Sequence, residues 1–153
     1  MSYMLHQESK NTTRFYPKNL NKFKSKSDYC VCRSSWEVKF CKWADSNDQI
    51  LMWASEPIGI PYFDAARQKE RTYYPDYLIK VIDKKTRLEK VWLVEVKPEN
   101  QCKPPVVTKG KSRKTRLHEA ATFATNKSKW QSALQYCKLK GWTFKIITER
   151  DLF

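Results

Sequence analysis

Apolar and polar positions along this chain fall into blocks whose period changes. Residues 73–82 and 88–97 are mostly β-branched, aromatic or aliphatic, and the polar stretch 83–87 separates them. The pair predicts a β-hairpin. The second run is apolar on both faces at its centre (Val91, Trp92, Leu93, Val94), as in a strand covered on both sides. Upstream the period lengthens. Trp36, Phe40 and Trp43 fall at i, i+4 and i+7, a helical stripe, and Ser34 with Glu37 matches the capping box Ser-x-x-Glu. Residues 51–63 predict one or two strands broken near Pro57-Ile58-Gly59. Residues 115–125 predict a short helix. Asn126 then caps a second helix over 127–140, with the stripe Trp130, Ala133, Leu134, Cys137 and Gly141 as its stop. Residues 142–148 predict a last strand. The order is helix, strands, helices, strand, without an internal repeat.

The hairpin carries chemistry at its outer end. With Asp83 facing Leu88 across the turn, Asp76 lies opposite Glu95, and facing side chains stand roughly 5 Å apart. Alternation puts Asp76, Leu78 and Lys80 on one face with Val91, Leu93, Glu95 and Lys97. Two carboxylates at the end of a covered strand repel each other and are costly to desolvate; a divalent cation resolves that cost. Glu37 is a third acid, on the first turn of the predicted helix, where capping and a role beside a metal are compatible. Glu56, near the break at 57–59, is a reserve acidic ligand.

Glu37, then Pro75-Asp76, then Glu95-x-Lys97 resembles the PD-(D/E)XK nuclease superfamily. The phrases Arg33-Ser-Ser-Trp-Glu37, Trp53-Ala-Ser-Glu-Pro57, Ile60-Pro-Tyr62, Tyr74-Pro-Asp-Tyr-Leu78, Glu95-Val-Lys-Pro98 and Gly141-Trp-Thr-Phe-Lys-Ile-Ile-Thr-Glu149 are similar to the head completion nucleases of T-even-like tailed phages, and to transposon end-cleaving endonucleases of the TnsA type. The resemblance covers roughly residues 30–150. It implies an α/β (α+β) fold with a restriction-endonuclease-like core, a mixed central sheet flanked by helices in the order α-β-β-β-α-β. The domain spans 30–153, after a basic, aromatic arm at 1–29. It further implies Mg²⁺-dependent cleavage of DNA with little sequence specificity, endo- and exonucleolytic, in head completion after packaging and before head–tail joining. Mn²⁺ is a plausible substitute. Asp76 and Glu95 would hold the ion with the Val96 carbonyl, Glu37 a second ion or an outer water, and Lys97 would orient water or neutralise developing charge. Gln131 on the last helix is a further candidate. The partners implied are DNA and capsid, portal or neck proteins, in the host cytoplasm during assembly or in the virion. Two other readings stand beside this one: a DNA-binding capsid or neck component that no longer cleaves, and a transposon-end endonuclease, whose relatives carry an extra domain.

Composition narrows the choice. Thirty Lys and Arg against 16 Asp and Glu give a net charge of +14, which favours a polyanionic partner. Lys103, Lys109, Lys111, Arg113, Lys114 and Arg116 cluster without an acid just after the Glu-x-Lys strand, placed for phosphate contact. In the arm, Lys10, Arg14, Lys18, Lys22, Lys24 and Lys26 alternate loosely with Phe15, Tyr16, Phe23 and Tyr29, a pattern that suits either nucleic acid or packing on a protein surface. No apolar run approaches about 18 residues and no secretory leader is evident, so no membrane partner is expected. Five cysteines without a leader predict reduced thiols. The spacing of Cys30, Cys32, Cys41 and His118 matches no usual zinc pattern.

Overall fold

The computed structural model of the protein describes residues 11–152. In chain order these form β1 (Thr13–Phe15), β2 (Cys30–Cys32), α1 (Ser35–Ser46), β3 (Ile50–Ser55), β4 (Ile60–Asp64), β5 (Lys69–Tyr73), β6 (Tyr77–Ile82), β7 (Glu89–Val96), a 3₁₀ turn (Glu99–Gln101), α2 (Arg113–Lys140), β8 (Thr143–Ile147) and α3 (Glu149–Leu152).

The predicted hairpin is β6–β7. Its antiparallel register runs from Tyr77↔Val94 to Ile82↔Glu89, and one more step sets Asp76 opposite Glu95. The turn is held by the Asp83 N–H, which donates to the Leu88 carbonyl at 2.9 Å, and by the Asp83 carboxylate, which accepts from the N–H groups of Lys85 and Thr86. Such an Asx turn fixes the register from outside the strands.

The central sheet has the order β3-β6-β7-β8, with β7–β8 parallel and the other pairs antiparallel. Its apolar residues sort by parity. Tyr77, Ile79 and Val94 pack against Phe40, Cys41 and Ala44 of α1. Leu78 and Leu93 pack against Trp130, Ala133 and Cys137 of α2. Helices thus cover both faces, which is why the middle of β7 is apolar on both sides. Leaving out the short edge elements, the order α1-β3-β6-β7-α2-β8 is the α-β-β-β-α-β mixed α+β core of the restriction-endonuclease-like fold.

Three expectations change. The helices expected at 115–125 and 127–140 are one helix, capped by Ser112, whose hydroxyl accepts from the Thr115 N–H. Nothing between 113 and 140 breaks a helix, and an interior Asn costs under about 0.7 kcal/mol, so Asn126 lies mid-helix and buried instead of capping. The α2 stripe runs Asn126, Trp130, Ala133, Cys137, and Leu134 is exposed. Tyr73 ends β5 instead of opening the central strand. Pro75 offers no N–H and interrupts the ladder, and the polar segment 69–72 forms a separate hairpin with β4. Gly141 stops α2 as expected, at φ 74°.

Residues 11–29 lie along the domain. β1 pairs with β2, Phe23 is buried against Trp53 with ring centroids 4.5 Å apart, and the Lys22 ammonium donates to the carbonyls of Asp45 and Asn47. Lys10, with the start of the arm, lies outside the described residues. No helix among the described residues is long and apolar enough to cross a membrane.

Candidate active site

Asp76 immediately precedes β6 and Glu95 lies near the end of β7, so the sheet itself brings the two carboxylates together. They stand close enough that the charge of Glu95 adds to burial in raising the pKa of Asp76. The Val96 N–H donates to Asp76 Oδ2 at 2.8 Å, and the Glu56 N–H donates to the Asp76 carbonyl at 2.8 Å, fixing Asp76 from both sides. Lys97 Nζ stands 3.9 Å from Glu95 Oε1. By strand parity Asp76, Glu95 and Lys97 share the α2 face of the sheet with Leu78 and Leu93.

Glu37 comes from α1, on the opposite face, and approaches around the strand ends. Its backbone N–H donates to the Ser34 hydroxyl at 3.1 Å, and its carboxylate accepts from the Arg33 N–H at 3.2 Å and the Ser34 hydroxyl at 3.3 Å. This is a capping box shifted by one residue, with Arg33 taking the place of the cap's own N–H. Among the described residues, the one triple of Asp, Glu, His or Cys whose ligand atoms all lie within 4.8 Å is Cys30, Cys32 and Cys41. Glu37 therefore stands back from the Asp76–Glu95 pair. Glu56 is engaged by Arg33, with Nη1 2.6 Å from Oε1.

Charge crowding dominates the electrostatics. Asp76 keeps some exposed surface, yet desolvation pushes its pKa well up, and the charges of Glu95 and Glu37 push it further. Burial also raises Glu95, while Tyr73, Lys97 and Lys129 pull it down. Burial raises Glu37 against its two hydrogen bonds. Two hard oxygen donors that cannot both ionise comfortably, with a half-buried ammonium at their side, fit a small divalent cation.

Residues 47–149 match the family of TnsA-like endonuclease N-terminal domains. The chain is also 33% identical over 144 residues to the head completion nuclease of Enterobacteria phage T4, covering 91% of each chain. This chain belongs to the TnsA-like endonuclease family. The matched segment includes β6, β7 and the whole of α2, and thus Asp76, Glu95 and Lys97. Its role is that of a nuclease, whose substrate is DNA.

Two residues of this TnsA-like domain join the site without any signal in the linear pattern. The Tyr73 hydroxyl donates to Glu95 Oε2 at 2.5 Å. Lys129 of α2 lies over the Tyr73 ring, 5.7 Å from its centroid, and burial lowers its pKa while Glu95 raises it. Gln131, two residues on, is exposed. Tyr73 was hidden in an expected strand and Lys129 among many lysines, and only packing selects them. The basic residues divide. Lys103 pairs with Glu99 at 3.4 Å, and Lys111 with Glu119 at 2.8 Å. Lys109, Arg113, Lys114 and Arg116 are exposed, the last three in the opening turns of α2, whose first turn holds no acid. Cations there oppose the helix dipole, so helix stability does not explain them.

Proposed function

We propose that the protein is a Mg²⁺-dependent DNA nuclease of low sequence specificity, with Mn²⁺ able to replace Mg²⁺. The observation that carries this is the Asp76–Glu95 carboxyl pair, set opposite each other by the β6–β7 register beside Lys97 at the end of the central sheet. Asp76 and Glu95, with the Val96 carbonyl, would hold the ion, which when bound polarises the scissile phosphate and makes water a better nucleophile at neutral pH. Tyr73 and the Val96 N–H hold the two carboxylates in place. Lys97 puts an ammonium beside the carboxylates, where it offsets the charge that grows on the phosphate. Glu37, set back on α1, orients an outer water. Lys109, Arg113, Lys114 and Arg116 contact phosphates without reading bases. The name of the phage T4 relative supports a place in head completion; we place the step after packaging and before head–tail joining, with capsid, portal or neck proteins as partners.

Supercoiled plasmid incubated with the purified protein in Mg²⁺, against EDTA and against Asp76→Ala, tests the reading. Nicking or linearisation by wild type with metal alone is expected. DNA binding without any cut, in Mg²⁺ or Mn²⁺, would favour a DNA-binding head component that does not cleave.

A further inference from the structure

We infer that Cys30, Cys32 and Cys41 form a second metal site, for one thiophilic divalent cation of the Zn²⁺ class, at the root of the helix that carries Glu37. Cys30 and Cys32 occupy alternate positions of β2 and so point the same way, toward α1, where Cys41 meets them. Cys32 Sγ lies 3.6 Å from Cys41 Sγ, and Cys41 Sγ lies 3.8 Å from Cys30 Sγ. All three sulfurs fall within 4.8 Å of one another. A tetrahedral site with metal–sulfur bonds of about 2.3 Å has sulfur–sulfur edges of about 3.8 Å. The two measured edges match that spacing, and they are far longer than the roughly 2.05 Å of a disulfide.

The Tyr77 hydroxyl lies 3.4 Å from Cys41 Sγ and is buried with the thiols. Three buried thiols can also serve as small apolar groups of the core, and titration with Co²⁺ separates the two roles. Cys32 borders a cleft lined also by Arg33, Ser34, Val38, Lys39 and Lys42.

Donor chemistry and charge choose the ion. Thiolates select soft cations over Mg²⁺ or Ca²⁺, so this site and the carboxylate pair sort different metals. Binding turns three thiols into three thiolates and releases three protons to the buffer. A divalent ion then leaves one net negative charge and a monovalent ion such as Cu⁺ leaves two. Because a buried site bears net charge at a cost, the divalent ion, which leaves less of it, is the better occupant. The site ties β2 to α1 beside the Arg33–Glu37 hydrogen bond, and so stiffens the base on which Glu37 stands.

Co²⁺ is the probe, added to metal-free, reduced protein. Asp76→Ala serves as background, so that the carboxylate pair does not compete. One Co²⁺ per chain is expected, with the intense visible bands of tetrahedral cobalt and a thiolate charge-transfer band. Zn²⁺ displaces both signals, and a large excess of Mg²⁺ displaces neither. Cys30→Ser and Cys32→Ser lose the charge-transfer band, and Cys137→Ser, outside the cluster, keeps it. Absence of a thiolate band from the Asp76→Ala protein at one equivalent of Co²⁺ would overturn the site, whether or not the serine variants fold. A band unchanged by Cys32→Ser in a folded protein would overturn it equally. The site does not depend on the nuclease reading, because the measurement needs no DNA.

Discussion

Asp76 and Glu95 cost the metal-free fold stability at neutral pH. Their pKa values are raised in the folded protein, so between the ordinary carboxylate range near about 4 and those raised values the native state holds protons that the unfolded chain has lost. Their contribution to stability falls as pH rises through that window. Asp76→Asn, which keeps the acceptor for the Val96 N–H, is therefore expected to raise the melting temperature of the metal-free protein at neutral pH. The gain should shrink toward zero as pH falls to about 4. Mg²⁺ should raise the melting temperature of wild type and not of the variant. Equal melting curves for the two proteins at neutral pH would show that the carboxylates carry no mutual strain. Tyr73→Phe removes the donor to Glu95 without changing the ring, and supporting hydrogen bonds of this kind are worth roughly 10- to 100-fold in metal affinity or activity. The Mg²⁺ concentration for half-maximal cleavage is expected to rise about tenfold. Lys97→Ala is expected to abolish cleavage while Mg²⁺ and DNA binding persist, and undiminished cleavage would remove Lys97 from the mechanism.

At the scale of elements, α1 and α2 bear on the site differently. The start of α1 positions Glu37 through the Ser34 cap. Ser34→Ala is expected to cost about 1 kcal/mol. That lowers the melting temperature by roughly 2–4 °C in a chain of this size. If Glu37 orients water, the cleavage rate falls as well, and Ser34→Asp restores both. A stability loss with unchanged rate would leave Glu37 with its capping role alone. α2 is a helix of two halves. Its C-terminal half buries Trp130, Ala133 and Cys137 and delivers Lys129 to Glu95, whereas its N-terminal turns bury no apolar side chain and carry Arg113, Lys114 and Arg116 outward.

Over the whole molecule, the net charge of +14 becomes a surface only through the fold. Lys103 and Lys111 are engaged by Glu99 and Glu119, and Lys22 is held by backbone carbonyls. Among the exposed cations, Lys109, Arg113, Lys114 and Arg116 follow the Glu-x-Lys strand and have no acidic partner within 4 Å among the described residues. Replacing Lys109, Lys114 and Arg116 together by Ala should weaken DNA binding equally across sequences. It should flatten the slope of log affinity against log salt by about 2.7, since each phosphate that a cation neutralises adds about 0.9 to that slope. Binding measured at several salt concentrations checks this, and an unchanged slope would move the DNA path elsewhere.

The first helix, the central hairpin with its register, the last strand and the Asp76–Glu95–Lys97 face were legible in the chain itself, because strand and helix periods are local and the Asp83 turn fixes pairing within a few residues. The capping role of Ser34 was legible for the same reason. The merger of two expected helices was not, since a weak helix former such as Asn126 breaks or continues a helix according to what it packs against. Nor were Tyr73, Lys129 or the thiol cluster. Each depends on how separate elements cross in space, and linear spacing holds no record of that. Tyr73 reaches Glu95 because Pro75 diverts the chain into another hairpin, and the charge of Lys129 acts on Glu95 because α2 lies on that face of the sheet. Cys41 meets Cys30 and Cys32 because α1 packs against β2. The sequence determined which groups could do chemistry at the sheet end; the tertiary structure decided which of the others came within reach of them.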